Sequence, residues 1–208
     1  MKNRQSPTEE ELKDTRASTT DPEARKMKMG DGGFRLAFNI QFATGNTSRV
    51  IFGVTVVNTL DPGTSLLMMQ KVHSTLEMLE LRGARSWNAD SAYSSKEDVE
   101  KAAEFFPHCN YYSPAKLKKG IDPKKIQKSD SEAVQRWRQT LDTEEMKKSY
   151  KNRCSTAEFS NAQIKNHGMV EFLVRGLRKV QAMANLHAIS HNIGRYWDLS
   201  REKEVQVV

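Results

Sequence analysis

From Phe34 the chain alternates. Phe34, Leu36, Phe38, Ile40 and Phe42 are apolar, with Arg35, Ala37, Asn39, Gln41 and Ala43 between them. A period of two predicts a strand over 34–43 with one apolar face. A turn follows at 44–47, and RVIFGVTVVN at 49–58 reads as a second, more apolar strand. Such a hairpin needs a third strand or a helix against it. After a loop holding Asp61, Pro62 and Gly63 the period changes. Met68, Val72, Leu76 and Leu79 share one face of a helix expected over 65–80. ARSWNADSAY at 84–93 reads as a short strand that ends on Asp90. Ser94 with Glu97 three residues later resembles a capping box opening a helix over 95–106. HCNYYSP gives a short strand near 110–113, stopped by Pro114.

The C-terminal half is helical in pattern. Val134 and Trp137 share one side of a helix over 130–138. Met146, Tyr150, Ala157 and Asn161 form a stripe on a helix over 144–165. Leu177, Val180, Ala184, Ala188 and His191 follow one face of a long helix over 174–197, with Trp197 placed to anchor its end. The resulting expectation is an α/β domain over 32–197. Ahead of it lies a polar, loosely ordered lead-in at 1–31, and a charged tail follows at 198–208. A basic loop at 115–129 interrupts the domain.

In an open α/β sheet, chemistry sits beyond the carboxyl ends of the strands. Asp90 at such an end is a candidate functional carboxylate; the plainer reading is an Asx turn closing the strand. Glu158 lies on the 144–165 helix beside Lys151 and Arg153, where an ordinary helix ion pair accounts for it. His187 and His191 stand at i and i+4 without an intervening acid, which favours packing over zinc.

Charge adds a partner to this picture. With 33 Lys plus Arg against 26 Asp plus Glu the net charge is +7, a weak pointer to a polyanion. Lys116, Lys118, Lys119, Lys124, Lys125 and Lys128 crowd the 115–129 loop. They suit phosphate contacts or a solvated surface equally well. Two cysteines give no disulfide framework, so a reducing cytoplasm is the default expectation. No apolar run reaches the ~18 residues of a membrane span. The polar start carries no apolar signal region.

Several longer stretches resemble one family in its own order. They are STTDPEARKMKMGDGGFRLAFNIQFAT at 18–44, RVIFGVTVVN, WNADSAYSSKEDVE at 87–100 and YYSP. Further on come DSEAVQRWRQTLDTEEMKKSYKNRCSTAEFSNAQIKNHGM at 130–169 and FLVRGLRKVQAMANLHAISHNIGR at 172–195. Together they resemble the C-terminal part of bacterial insertion-sequence transposases of the DDE class. The resemblance implies a ribonuclease-H-like domain, a mixed sheet flanked by helices, here truncated at its N-terminus. It implies that Asp90 is the second catalytic acid. It also implies that Glu158, in the family's Y-K-x-R-x-x-x-E pattern (here Tyr150, Lys151, Arg153 and Glu158), is the last one. These acids would hold two Mg²⁺ or Mn²⁺ ions for cutting and joining DNA.

On the same grounds Lys151, Arg153 and Arg175, with Lys116, Lys118, Lys119, Lys124 and Lys125, would contact DNA phosphates. Two departures are expected to matter. The first catalytic acid and its strand have no counterpart, because Asp14 and Asp21 lie outside any strand pattern. Ser91-Ala92 also replaces a Gly-Gly turn. The chain is therefore expected to be a catalytically incomplete transposase fragment that binds DNA. The alternative is a DNA-binding or partner-binding remnant that associates with intact transposase. An unpaired sheet edge is a further route to self-association.

Overall fold

The computed structural model describes residues 18–59, 63–116, 120, 122–169 and 171–206. The side chains of residue 154 and of 202–206 are outside that description, as are Asp14, Asp61, Lys118 and Lys119. The architecture is mixed α/β, with two-stranded sheets flanked by helices. β1 (Arg25–Lys28) pairs antiparallel with β2 (Phe34–Ala37). β3 (Asn39–Thr44) pairs antiparallel with β4 (Ile51–Val57). β5 (Ser86–Asn88) pairs parallel with β6 (Asn110–Tyr112). The helices are α1 (Ser65–Met78), α2 (Lys96–Phe105), α3 (Glu132–Thr140), α4 (Glu144–Asn166) and α5 (Leu177–Gln206).

Two expectations are corrected. The strand read over 34–43 is two strands. It breaks at Phe38, and each half takes a different partner: β2 joins β1, and β3 joins β4. The stretch expected as an irregular lead-in also contains ordered structure. Asp21 Oδ2 accepts from Gly176 N at 2.9 Å and Glu23 Oε2 accepts from Leu177 N at 2.9 Å. Two carboxylates thus satisfy N–H groups at the start of α5, where the helix dipole also favours negative charge. This long-range capping is the physical reason that the segment is placed.

The core lies where β4 meets α4 and α5. Ile51, Val54, Val56, Ile164, Val180, Ala184 and Ala188 form one buried cluster. The face of α5 read from its periodicity is the buried one, with His191 included. His191 Nε2 lies 2.8 Å from the Arg49 carbonyl, so this histidine packs and ties down a turn. α1 buries Met68, Met69, Val72 and Leu76, whereas Leu79 is exposed. Gly53 makes that approach possible: a Cβ there would stand 2.8 Å from Met68 Sδ and 2.9 Å from Val72 Cγ2. Trp197, expected to anchor the helix end, is instead 65 % exposed.

The outer edge of β4 is closed by side chains. Gln181 accepts from Val56 N at 3.0 Å and donates to Val54 O at 3.2 Å. Asn192 bonds both Ile51 N and Ile51 O at 2.8 Å. Lys71 Nζ donates to Val54 O at 2.6 Å. An amide side chain mimics the donor and acceptor pair of a neighbouring strand, so this edge offers little to another chain.

Candidate functional site

After one intervening residue, Ala89, Asp90 follows β5. Its Oδ1 accepts from Ala92 N at 2.8 Å and so caps the short 3₁₀ turn Ser91–Tyr93. That is the Asx turn of the plainer sequence reading. Neither Ser91 nor Ala92 has positive φ. The Ser-Ala pair therefore carries none of the strain expected where the family has Gly-Gly. Ser113 Oγ, fully buried at the end of β6, donates to Asp90 O at 2.6 Å. The parallel register that sets Ser86 against Asn110 brings these two strand ends together. This tie from Ser113 to the Asp90 backbone was not foreseen from the sequence, where YYSP next to Pro114 was the available signal.

The helix after Asp90 is capped one residue later than expected. Ser95 Oγ accepts from Asp98 N at 3.0 Å and donates to Asp98 Oδ2 at 2.5 Å, so Ser95 and Asp98 take the places expected of Ser94 and Glu97. Tyr111 OH lies 3.0 Å from both Ser65 Oγ and Tyr93 O, tying the start of α1 to the turn after Asp90. These bonds fix the backbone around Asp90 from three elements.

Asp90 lines a cavity of about 580 Å³ between β3 and β5. Among the described strands β3 pairs with β4 and β5 with β6, and both β3 and β5 contribute lining residues along their lengths. α1 closes one side with Met68, Val72 and Leu76; α4 adds Arg153, Thr156, Ala157 and Asn161. α4 is fixed to β5 by Ser149 Oγ, which donates to Asn88 Oδ1 at 2.8 Å. Glu158 is exposed on α4, next to the lining residue Ala157, and is not itself part of the lining. Arg153 lies over the Tyr150 ring, 5.0 Å from its centroid, and its buried Nε has no hydrogen-bond partner among the described residues.

The remaining candidates divide by surroundings. Lys116, Lys125, Lys151 and Arg175 are exposed. Lys124 is ion-paired with Asp142. Asp130 anchors the end of the basic loop. Its carboxylate is fully buried, 2.6 Å from Lys96 Nζ, and accepts from Arg138 Nε and Gln127 N at 2.8 Å each. Arg138 also donates to Pro123 O. The Lys96 ammonium first, then the Gln127 N–H and the Arg138 guanidinium, hold the Asp130 carboxyl down at about 2. Burial pushes the Cys109 thiol up to about 11, so it offers no thiolate near neutral pH.

The two acids are hard oxygen donors of the kind that Mg²⁺ or Mn²⁺ takes. Among the described residues no group of three or more His, Cys, Asp or Glu side chains is placed to hold a metal ion. No helix among them is long and apolar enough to cross a membrane.

The transposase DDE domain family matches residues 82–197, and this protein belongs to it. The matched segment spans more than half of the 208 residues and holds every candidate site residue. No curated protein and no solved structure matches the chain. The mixed α/β layers over the matched segment agree with a ribonuclease-H-like transposase fold.

Proposed function

We propose that this protein supplies Asp90 and Glu158 to a divalent-metal site for DNA strand cutting and joining, and that the described residues leave this site catalytically incomplete. The observation that carries the reading is Asp90, held at a strand end inside a cleft walled by α4, in a transposase DDE domain. In such a site bound Mg²⁺ or Mn²⁺ supplies activation of the attacking oxygen and stabilisation of the leaving oxygen. The chain's own contribution is to hold the Asp90 backbone through Ala92 N, Ser113 Oγ and the β5–β6 ladder. Glu158 reaches the cleft by a change of side-chain rotamer or a roll of α4. Two carboxylates leave part of the metal's coordination to a further acid. The cleft between β3 and β5, where among the described residues β5 pairs only with β6, suits a strand that would deliver it. Asp31 is a poor substitute, being exposed and paired with Arg35 at 2.6 Å.

DNA is bound through exposed cations. Lys116, Lys125, Lys151 and Arg175 are exposed and meet phosphates, and Arg153 Nε takes an acceptor brought into the cavity. The expected result in fluorescence anisotropy is weak binding with little sequence preference. A handful of released counterions gives roughly a 10- to 100-fold loss of affinity between low and moderate salt. Lys125→Ala weakens binding more than Lys124→Ala, because Lys124 already answers Asp142. Salt-independent affinity, or no binding at low salt, would remove DNA from the proposal.

The flank of β5, which among the described residues pairs only with β6, favours a second reading, a partner-binding remnant that associates with intact transposase by strand addition. Capture of an intact family member in the absence of DNA supports it. No capture, alongside salt-dependent DNA binding, leaves the first reading standing.

A further inference from the structure

A second cavity, of about 350 Å³, is lined by α1, the end of α2 and β5. Val72 and Leu76 of α1 give it a buried apolar floor. α2 ends at Phe105, ahead of Pro107, and both Phe105 and Phe106 join the lining. Trp87 of β5 adds a third ring, and His73 and His108 add imidazoles. His73 and Phe106 already meet edge to face, with ring centroids 5.4 Å apart. A lining so rich in rings receives a further flat ring in offset or edge-on contact. The volume sits at the lower end of the ~300–1,000 Å³ of small-molecule sites, which suits a fused aromatic ring system and is too small for a helix.

Charge at the cavity selects the head group of its occupant. Arg85 lines it just ahead of β5, and its backbone is fixed there because Asn110 N donates to Arg85 O at 2.9 Å. Among the described residues neither the Arg85 guanidinium nor the His108 ring has a hydrogen-bond or ion-pair partner. No Asp or Glu among them lines the cavity. Glu77, one turn along α1, is engaged by His73 Nε2 at 3.3 Å. An unanswered guanidinium beside an apolar, ring-lined floor favours a ligand with a flat apolar body and a carboxylate, which arginine grips through two parallel hydrogen bonds. A bare phosphate would leave the rings uncovered, and a cation would meet Arg85.

We propose that this cavity is a binding site for a small aromatic carboxylate, with its rings against Trp87 and Phe105 and its carboxylate on Arg85. The inference does not rest on the catalytic reading. The cavity shares Val72, Leu76, Ala84 and Trp87 with the Asp90 cleft as a common wall, whereas Arg85 and Phe105 line this cavity and not the cleft. Arg82 lines the cleft and not this cavity. Isothermal titration calorimetry of the full chain with naphthylacetate tests the proposal. The expected result is one saturable site with Kd on the order of 100 μM. Naphthylmethylamine, with the same rings and the opposite charge, binds at least roughly 10-fold more weakly. Arg85→Ala weakens naphthylacetate by roughly 10-fold, and Arg85→Glu inverts the preference between the two probes. Phe105→Ala weakens naphthylacetate by roughly 5-fold. Arg82→Ala leaves its affinity unchanged. The three substituted side chains are exposed, so the variants are expected to stay folded, and circular dichroism melts check this. No saturable binding of naphthylacetate overturns the proposal. So does equal affinity for the acid and the amine. So does binding that Arg82→Ala abolishes and Arg85→Glu leaves intact, which would put the probe in the Asp90 cleft.

Discussion

Ile164→Ala is expected to cost about 2–5 kcal/mol and to lower the melting temperature by roughly 5–15 °C. Ile164 is fully buried in α4 and sits in the cluster that joins β4, α4 and α5. Truncation removes three carbons from a site whose neighbours are held by the Gln181 and Asn192 bonds to the β4 backbone. Such a site relaxes little, so the cavity term persists. The same change loosens the seat of α4, which carries Arg153 and Glu158. Urea denaturation measures the loss. A variant within 1 kcal/mol of the parent, on the scale of the usual cost, would show that this junction is not the core.

The second large effect belongs to Asp130→Asn. The substitution keeps the shape but leaves the Arg138 guanidinium with no counter-charge in a buried place, which is costly. Lys96, partly exposed, recovers some of its solvation. The melting temperature is expected to fall by roughly 5–10 °C near neutral pH. The pH dependence supplies a signature. The folded-state pKa, about 2, lies below the ~3.9 of an unfolded aspartate. The stabilisation from this group is thus fully present above about pH 4 and disappears as pH falls through about 2. Melting curves of parent and variant should converge as pH falls through that window. A constant difference down to the lowest pH would place the effect elsewhere. Because Asp130 and Arg138 hold Gln127 and Pro123, the variant also releases the C-terminal half of the basic loop.

Elements with strong local periodicity were legible in the sequence. The buried face of α5, the α1 stripe and the short strand before Asp90 all follow from spacing that one helix or strand enforces by itself. What escaped depended on partners distant in the chain. The 34–43 alternation is continuous in sequence, and only the separate partners β1 and β4 divide it. Nothing local in Asp21 and Glu23 announces that they cap a helix more than 150 residues away. Trp197 seemed a natural anchor, but helical phase turns it outward with Ile193. For the site, the strand-end rule pointed to Asp90, which lies two residues past β5. Ser113 was missed because its role comes from the parallel pairing of β5 with β6. The family's pattern assigns Glu158, whereas the packing of α4 presents Ala157 and Asn161 to the cleft.

The central claim is that Asp90 works in metal-dependent DNA chemistry that the described residues do not complete. Its most direct measurement is Mn²⁺-dependent nicking and strand transfer on DNA carrying the element's ends. Three proteins are compared: this chain, Asp90→Asn, and a version extended ahead of Met1 by the first strand and acid of an intact family member. The account predicts no product from the first two. It predicts product from the extended version, abolished when Asp90→Asn or Glu158→Gln is added. Activity in the unmodified chain that vanishes in Asp90→Asn would contradict incompleteness and send the search for the missing ligand to Asp61 and Asp31. Activity in the extended version that is indifferent to Asp90 would contradict the site itself.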